Sequence, residues 1–242
     1  MTFEDFETVA LERRRLMALD AELEGTSRAW LNTSFKHRYG YNFHWLGRPV
    51  LKYPQDLVMM QMIIHSVRPT IIVETGVAFG GSLLFLASVL NFVSPEGRVI
   101  GVEKGLLDST REAVETGPLS HMISLLEGDS VSPDTIATIR SQIRQDDTVM
   151  VVLDSDHSKA HVLDELESYA PLVSPGSFII VFDTFIENLD GPIEDREFGP
   201  GNSPLLAVEE FLAGNPDFGS DLSVDERLLI SEAPLGYLKC LR

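Results

Sequence analysis

An open, mostly parallel α/β sheet of seven strands is the fold this sequence predicts, and three observations predict it. A β-branched apolar run (Ile71, Ile72, Val73) ends in Glu74, passes a glycine-rich turn (Gly76, Gly80, Gly81) and enters apolar residues at helical spacing (Leu83, Leu84, Leu86, Ala87, Leu90). That is strand, tight turn, helix. The β-then-α alternation then repeats through five steps, the rhythm of a parallel sheet with helices on its faces. Two closing runs, 227–231 and 237–241, flank a turn containing Pro234 and Gly236 and read as a terminal hairpin. The predicted strand order is 3-2-1-4-5-7-6, with the last strand antiparallel.

Taken in order, residues 3–24 are acidic and helix-forming with an irregular apolar stripe (Phe6, Val9, Leu16, Leu19, Leu23), which suits a capping helix or an oligomer contact. Residues 30–53 are rich in aromatics and histidine (Trp30, Phe35, Tyr39, Tyr41, His44, Trp45) and are interrupted by Gly40, Gly47 and Pro49. They form either a substrate wall or a cover over the core. We therefore divide the chain into a cover segment, 1–53, and a catalytic domain, 54–242, opened by Pro54 at a helix start. After the glycine turn, where Ser82 offers itself as an N-cap, strands are expected at 98–103, 121–127, 148–154 and 177–183. The run T-V-M-V-V-L-D is nearly all apolar, as a central parallel strand buried on both faces must be. An acidic loop rich in Gly and Pro, 187–204, leads to a helix at 205–212.

Composition narrows the function. The 242 residues carry a net charge of -18, with 19 Lys and Arg against 37 Asp and Glu. Phosphate-backbone binding needs clustered cations, so a nucleic-acid partner is not expected. No basic segment precedes an apolar core at the start, and no apolar run reaches the length of a membrane span, so the expectation is a cytoplasmic protein without a membrane partner. The one cysteine, Cys240, excludes an intrachain disulfide.

The glycine turn lies at the carboxyl edge of the sheet, where backbone amides and a helix N-terminus favour a nucleotide-like ligand. The spacing does not match G-x-G-x-x-G, and Glu74 repels a pyrophosphate but suits an amino group. S-adenosylmethionine, which carries an ammonium and a sulfonium, meets both conditions. Its expected contacts are Glu74, Gly76, Gly80, Gly81 and Ser82 at the methionine end, Glu103 at the ribose, and Asp129 with Ser130 at the adenine unless those two only make a turn. An NAD-type dehydrogenase and a non-catalytic binding module are the alternatives. At the ends of the fourth and fifth strands, Asp154, Asp156, His157 and Asp183 converge if those strands are neighbours. Crowded carboxylates call for a cation, and Mg²⁺ held by Asp183 with Asp154 or Asp156 would lower the pKa of a substrate hydroxyl. His157, with Asp156 beside it, would take the proton. His157 and His161 are four apart, but no H-E-x-x-H is present, so zinc is not expected.

The stretches V-E-T-G-V-A-F-G-G-S, L-D-S-D-H-x-x-x-H-V-L-D-E-L-E-x-Y-A-P-L-V, G-S-F-I-I-V-F-D-T-F-I-E, G-N-S-P-x-x-A-V-x-E-F-L and G-Y-L-K, spread from Tyr41 to the C-terminus, resemble the cephalosporin hydroxylase and rhamnosyl O-methyltransferase family. The resemblance implies the class I S-adenosylmethionine-dependent methyltransferase fold and a metal-assisted, often homo-oligomeric O-methyltransferase. It also implies a small-molecule acceptor, a sugar or an antibiotic scaffold. By position it places the cofactor loop at Glu74 to Ser82, the ribose acid at Glu103, and the metal and base site at the Asp-His cluster with Asp183. One departure stands out: some relatives carry Glu-Asp where this chain has Phe182-Asp183.

Overall fold

The run Ile71–Thr75 forms β1, buried along its whole length and flanked on both sides by parallel neighbours. In the computed structural model, which describes residues 2–242, the other strands are β2 (Arg98–Glu103), β3 (Ile123–Glu127), β4 (Val149–Leu153), β5 (Phe178–Val181), β6 (Phe218–Ser220) and β7 (Tyr237–Cys240). They form one sheet in the order β3-β2-β1-β4-β5-β7-β6, with β7 antiparallel to both its neighbours. The order is the predicted one. The sixth strand is not where sequence placed it: residues 227–231 form turns, drawn away by Ser231, whose hydroxyl donates to Asp56 Oδ1 at 2.6 Å. The short run Phe218–Ser220 takes the edge instead.

Successive residues of β1 point to opposite faces, which is why both faces are apolar. Ile72 packs with Met150, Ile180 and the helices α3 (Pro54–Val67) and α4 (Gly81–Val93), through Met60, Ile64, Leu83, Leu86 and Leu90. Ile71 and Val73 pack on the other face with Val149, Val151 and two further helices, Lys159–Tyr169 and Pro204–Gly214, through Leu166, Tyr169, Val208 and Phe211. Each such side chain contributes about 1.5–3 kcal/mol by leaving water. The large buried core holds the sheet's carboxyl edge rigid.

The N-terminal stretch differs from one continuous helix. It folds as α1 (Phe3–Ala18) and α2 (Ala21–Lys36), because Asp20 caps the second helix by accepting the amides of Glu22 and Leu23. No residue of α1 is buried. The aromatic segment packs as a cover: Trp30, Tyr39 and Tyr53 meet edge to face at 5.0–5.8 Å, and the indole of Trp45 packs on Phe85 and donates to Ser88 Oγ at 3.0 Å. Among the described residues no helix is long and apolar enough to cross a membrane.

Candidate functional site

The β1–α4 turn is shaped by what passes beside it. Gly76 has φ +82°, and a Cβ there would lie 2.0 Å from the carbonyl oxygen of Asp154. Gly81 is pressed by the cover segment, since its Cβ would lie 2.1 Å from the Pro49 carbonyl. Gly80, at φ +81°, immediately precedes the helix. Ser82, expected as the N-cap, instead lies inside α4 and donates its hydroxyl to Glu74 Oε1. Glu103 folds back on the turn, accepting the amides of Val77 and Ala78 at 3.0 Å each and of Gly105 at 3.1 Å. Asp129 pairs with Lys104 at 2.7 Å, and Ser130 shares a 3.0 Å hydrogen bond with His161 Nε2. Sequence reasoning missed this last network: Ser155 donates to the buried Glu165 at 2.7 Å, and Tyr169 donates to the Ser130 carbonyl at 2.9 Å. His161 and Glu165, four apart on the helix Lys159–Tyr169, were its only local signal.

Glu74 is fully buried, and its second oxygen, Oε2, has no hydrogen-bond partner. Burial pushes its carboxyl up to about 8, with the Ser82 hydroxyl and the Lys52 charge opposing. A group raised in this way keeps its proton in the folded chain while the unfolded chain releases it near 4.5. Its contribution to stability is therefore largest at low pH, falls as pH rises from about 4.5 to about 8, and is flat above. In thermal unfolding followed from about pH 5 to 8.5, Glu74→Gln should gain steadily on the wild type; a constant difference would mean that Glu74 is ionised throughout.

At the ends of β4 and β5 the structure brings together Asp154, His157 and Asp183, whose nearest ligand-type atoms lie within 4.8 Å of one another. His157 Nε2 is 3.1 Å from Asp183 Oδ2, and the ring of Phe198, from the acidic loop, meets the imidazole edge to face at 5.0 Å. Asp183 holds a left-handed backbone, φ 59°, as befits a residue turned abruptly out of a strand. Asp154 continues from β4 with its amide on the Thr75 carbonyl at 3.1 Å. Asp156 is not drawn in. It is exposed, its Oδ1 accepts the Ser158 amide at 2.7 Å in a local turn, and it is not among the residues whose ligand atoms come together.

Beneath the cluster lies a residue the sequence reading passed over. Lys52 is 2% exposed, donates to Asp154 Oδ2 and lies 3.7 Å over the ring of Phe182. Burial alone would lower its pKa, but Asp154, Glu232 and Glu74 outweigh that and hold it above the ordinary lysine value. Burial, with Asp183 adding to it, raises Asp154, and the ammonium opposes. The expected Mg²⁺ meets a poor donor set here. One of the two carboxylates is already ion-paired, the third donor is an imidazole where a hard cation prefers oxygen, and Phe182 offers no oxygen. A dication about 4 Å from the ammonium would be repelled by roughly 8 kcal/mol at an effective dielectric of about 20.

A family model described as Rhamnosyl O-methyltransferase/CmcI matches residues 37–241. The rhamnosyl O-methyltransferase of Mycobacterium leprae (strain TN) is 30% identical over 201 residues, covering 80% of this chain and 81% of that protein. The protein of the same name from Mycobacterium bovis (strain BCG / Pasteur 1173P2) is 26% identical over 84% of this chain and 82% of its own. Among solved structures, an apo form of CmcI aligns with TM-score 0.62 and 21% identity, over 84% of this chain and 77% of that one. A Mg and S-adenosylmethionine form of CmcI aligns with TM-score 0.58 and 20% identity, over 84% and 78% of the respective chains. At such identities the structural likeness speaks for the fold.

Proposed function

Since the chain belongs to the rhamnosyl O-methyltransferase/CmcI family and is a methyltransferase dependent on S-adenosylmethionine, we propose that it methylates a hydroxyl of a small natural product. The acceptor class is a deoxysugar or a glycosylated antibiotic scaffold. The observation that carries this reading is the His157–Asp183 pair, 3.1 Å apart, at the strand edge where Asp154 touches the cofactor turn through Gly76.

The residues of the turn fit the cofactor. The orphaned Glu74 Oε2 would face the methionine ammonium, whose charge would favour loss of the carboxyl proton, and Gly76 and Gly81 let the turn seat closely against the backbones of Asp154 and Pro49. Glu103 would take the ribose hydroxyls, and Asp129 with Ser130 would face the adenine. When bound, S-adenosylmethionine supplies a methyl group on a sulfonium, an electrophile with a neutral thioether as leaving group. What remains for the chain is to hold the acceptor oxygen in line and to accept its proton. His157 is the accepting imidazole, and the Asp183 carboxylate 3.1 Å from its Nε2 stabilises the imidazolium that forms. Phe198, carried on the acidic loop and packed on His157, would form a wall against the acceptor.

Calorimetric titration with S-adenosylhomocysteine should show one site. Binding of NAD without S-adenosylhomocysteine would favour a dehydrogenase, and cofactor binding with no turnover on any acceptor would favour a binding module.

A further inference from the structure

Lys52 is placed with unusual care for a lysine. Its side chain is almost wholly out of water, its Nζ donates to Asp154 Oδ2, and the ammonium faces the Phe182 ring at 3.7 Å. The backbone on either side is fixed: Leu51 takes a left-handed φ of 51°, rare for a branched residue, and the Tyr53 amide donates to the buried Glu232 Oε2 at 3.0 Å. A buried charge persists only when paired, and this one is paired with the carboxylate that stands at the centre of the strand-end cluster. The residue next to Asp183 is Phe182, which receives the cation on its ring face and supplies no further anion. Lys52, Asp154 and Asp183 together carry a charge of minus one, so the ammonium offsets half of the negative charge that the two carboxylates would present to a dication.

We propose that Lys52 is the cluster's own cation: a positioning residue that holds Asp154 in place of a divalent metal, so that methyl transfer on this chain is metal-independent. The inference rests on the O-methyltransferase reading above. It assigns the proton to His157, with Asp183 as its carboxylate partner, and gives Asp154 a fixed orientation without a metal ligand sphere.

The test is a titration of the full chain with Mn²⁺, followed by electron paramagnetic resonance, with and without S-adenosylhomocysteine. The wild type should leave the Mn²⁺ signal free, and its turnover should survive exhaustive chelation. Stoichiometric Mn²⁺ binding, or turnover lost on chelation and restored by Mg²⁺, would overturn the proposal. Lys52→Met/Phe182→Glu removes the ammonium as well as adding a carboxylate, so its Mn²⁺ affinity should exceed that of Phe182→Glu alone by at least about tenfold. A lysine with a merely structural role would leave metal affinity where it was. Should that variant fail to fold, the wild-type titration still decides. Binding of S-adenosylhomocysteine in the same samples reports separately on the methyltransferase reading, which fails if the cofactor does not bind.

Discussion

His157→Ala should lower kcat for methyl transfer by about 10²–10⁴-fold, the usual worth of a positioned general base, while affinity for S-adenosylhomocysteine stays close to that of the wild type. The split is expected because His157 contacts Asp183 and Phe198 at the strand edge and takes no part in the β1–α4 turn. Asp183→Asn should lose much of the same activity. Asparagine accepts the left-handed backbone that Asp183 adopts at φ 59°, so the fold is kept, but a neutral amide cannot stabilise an imidazolium. Single-turnover kinetics on the purified variants separates binding from chemistry. A His157→Ala enzyme that keeps its kcat within about threefold would move the base elsewhere.

Gly76→Ala is the second change with a large expected effect, and it acts through structure. The left-handed φ of +82° costs a residue with a Cβ about 1–2 kcal/mol, which corresponds to a Tm lower by ~2–8 °C for a chain of this size. A steric cost is added to this. The new carbon would stand 2.0 Å from the Asp154 carbonyl oxygen and 2.6 Å from its carbon, both backbone atoms that no rotamer change can move. Relief requires β1 and β4 to part at the edge where the cofactor turn and Asp154 meet, so binding of S-adenosylhomocysteine should be lost along with stability. Gly105→Ala is the control, since nothing lies within 4 Å of its Cβ position and its backbone is unstrained. Calorimetry and thermal unfolding of the pair check the prediction: equal behaviour would show that the turn is more compliant than its geometry implies.

Local sequence carried most of the sheet, because each central strand is a short apolar run that ends in an acid or a glycine; Val149–Leu153 fell within the expected run, and Ile71–Thr75 overran its own by one residue. The sixth strand was illegible for a physical reason. Phe218–Ser220 is only three residues long with a glycine in the middle, whereas R-L-L-I-S at 227–231 has a stronger β pattern that is overridden by Asp56, 175 residues away, binding Ser231 and the Glu232 amide. The site divides in the same way. Asp154, His157 and Asp183 could be placed together because strand ends converge by topology. The choice between Asp154 and Asp156 depended on a turn hydrogen bond to Ser158, which spacing alone does not reveal. Lys52 depended on a contact across 102 residues. Its one visible sign is that it is the only Lys or Arg between Arg48 and Arg68, set between Leu51 and Tyr53 in an apolar run just ahead of a helix.

The central claim, transfer of a methyl group to an acceptor hydroxyl by this chain, is tested most directly by incubating it with methyl-labelled S-adenosylmethionine and a panel of nucleotide sugars and glycosylated scaffolds, in parallel with added Mg²⁺ and with chelator, with mass spectrometry of the products. The account predicts label in a new methyl ether on at least one sugar-bearing acceptor, lost in His157→Ala. Label carried on nitrogen or carbon, or cofactor bound with no label transferred to any acceptor, would contradict it.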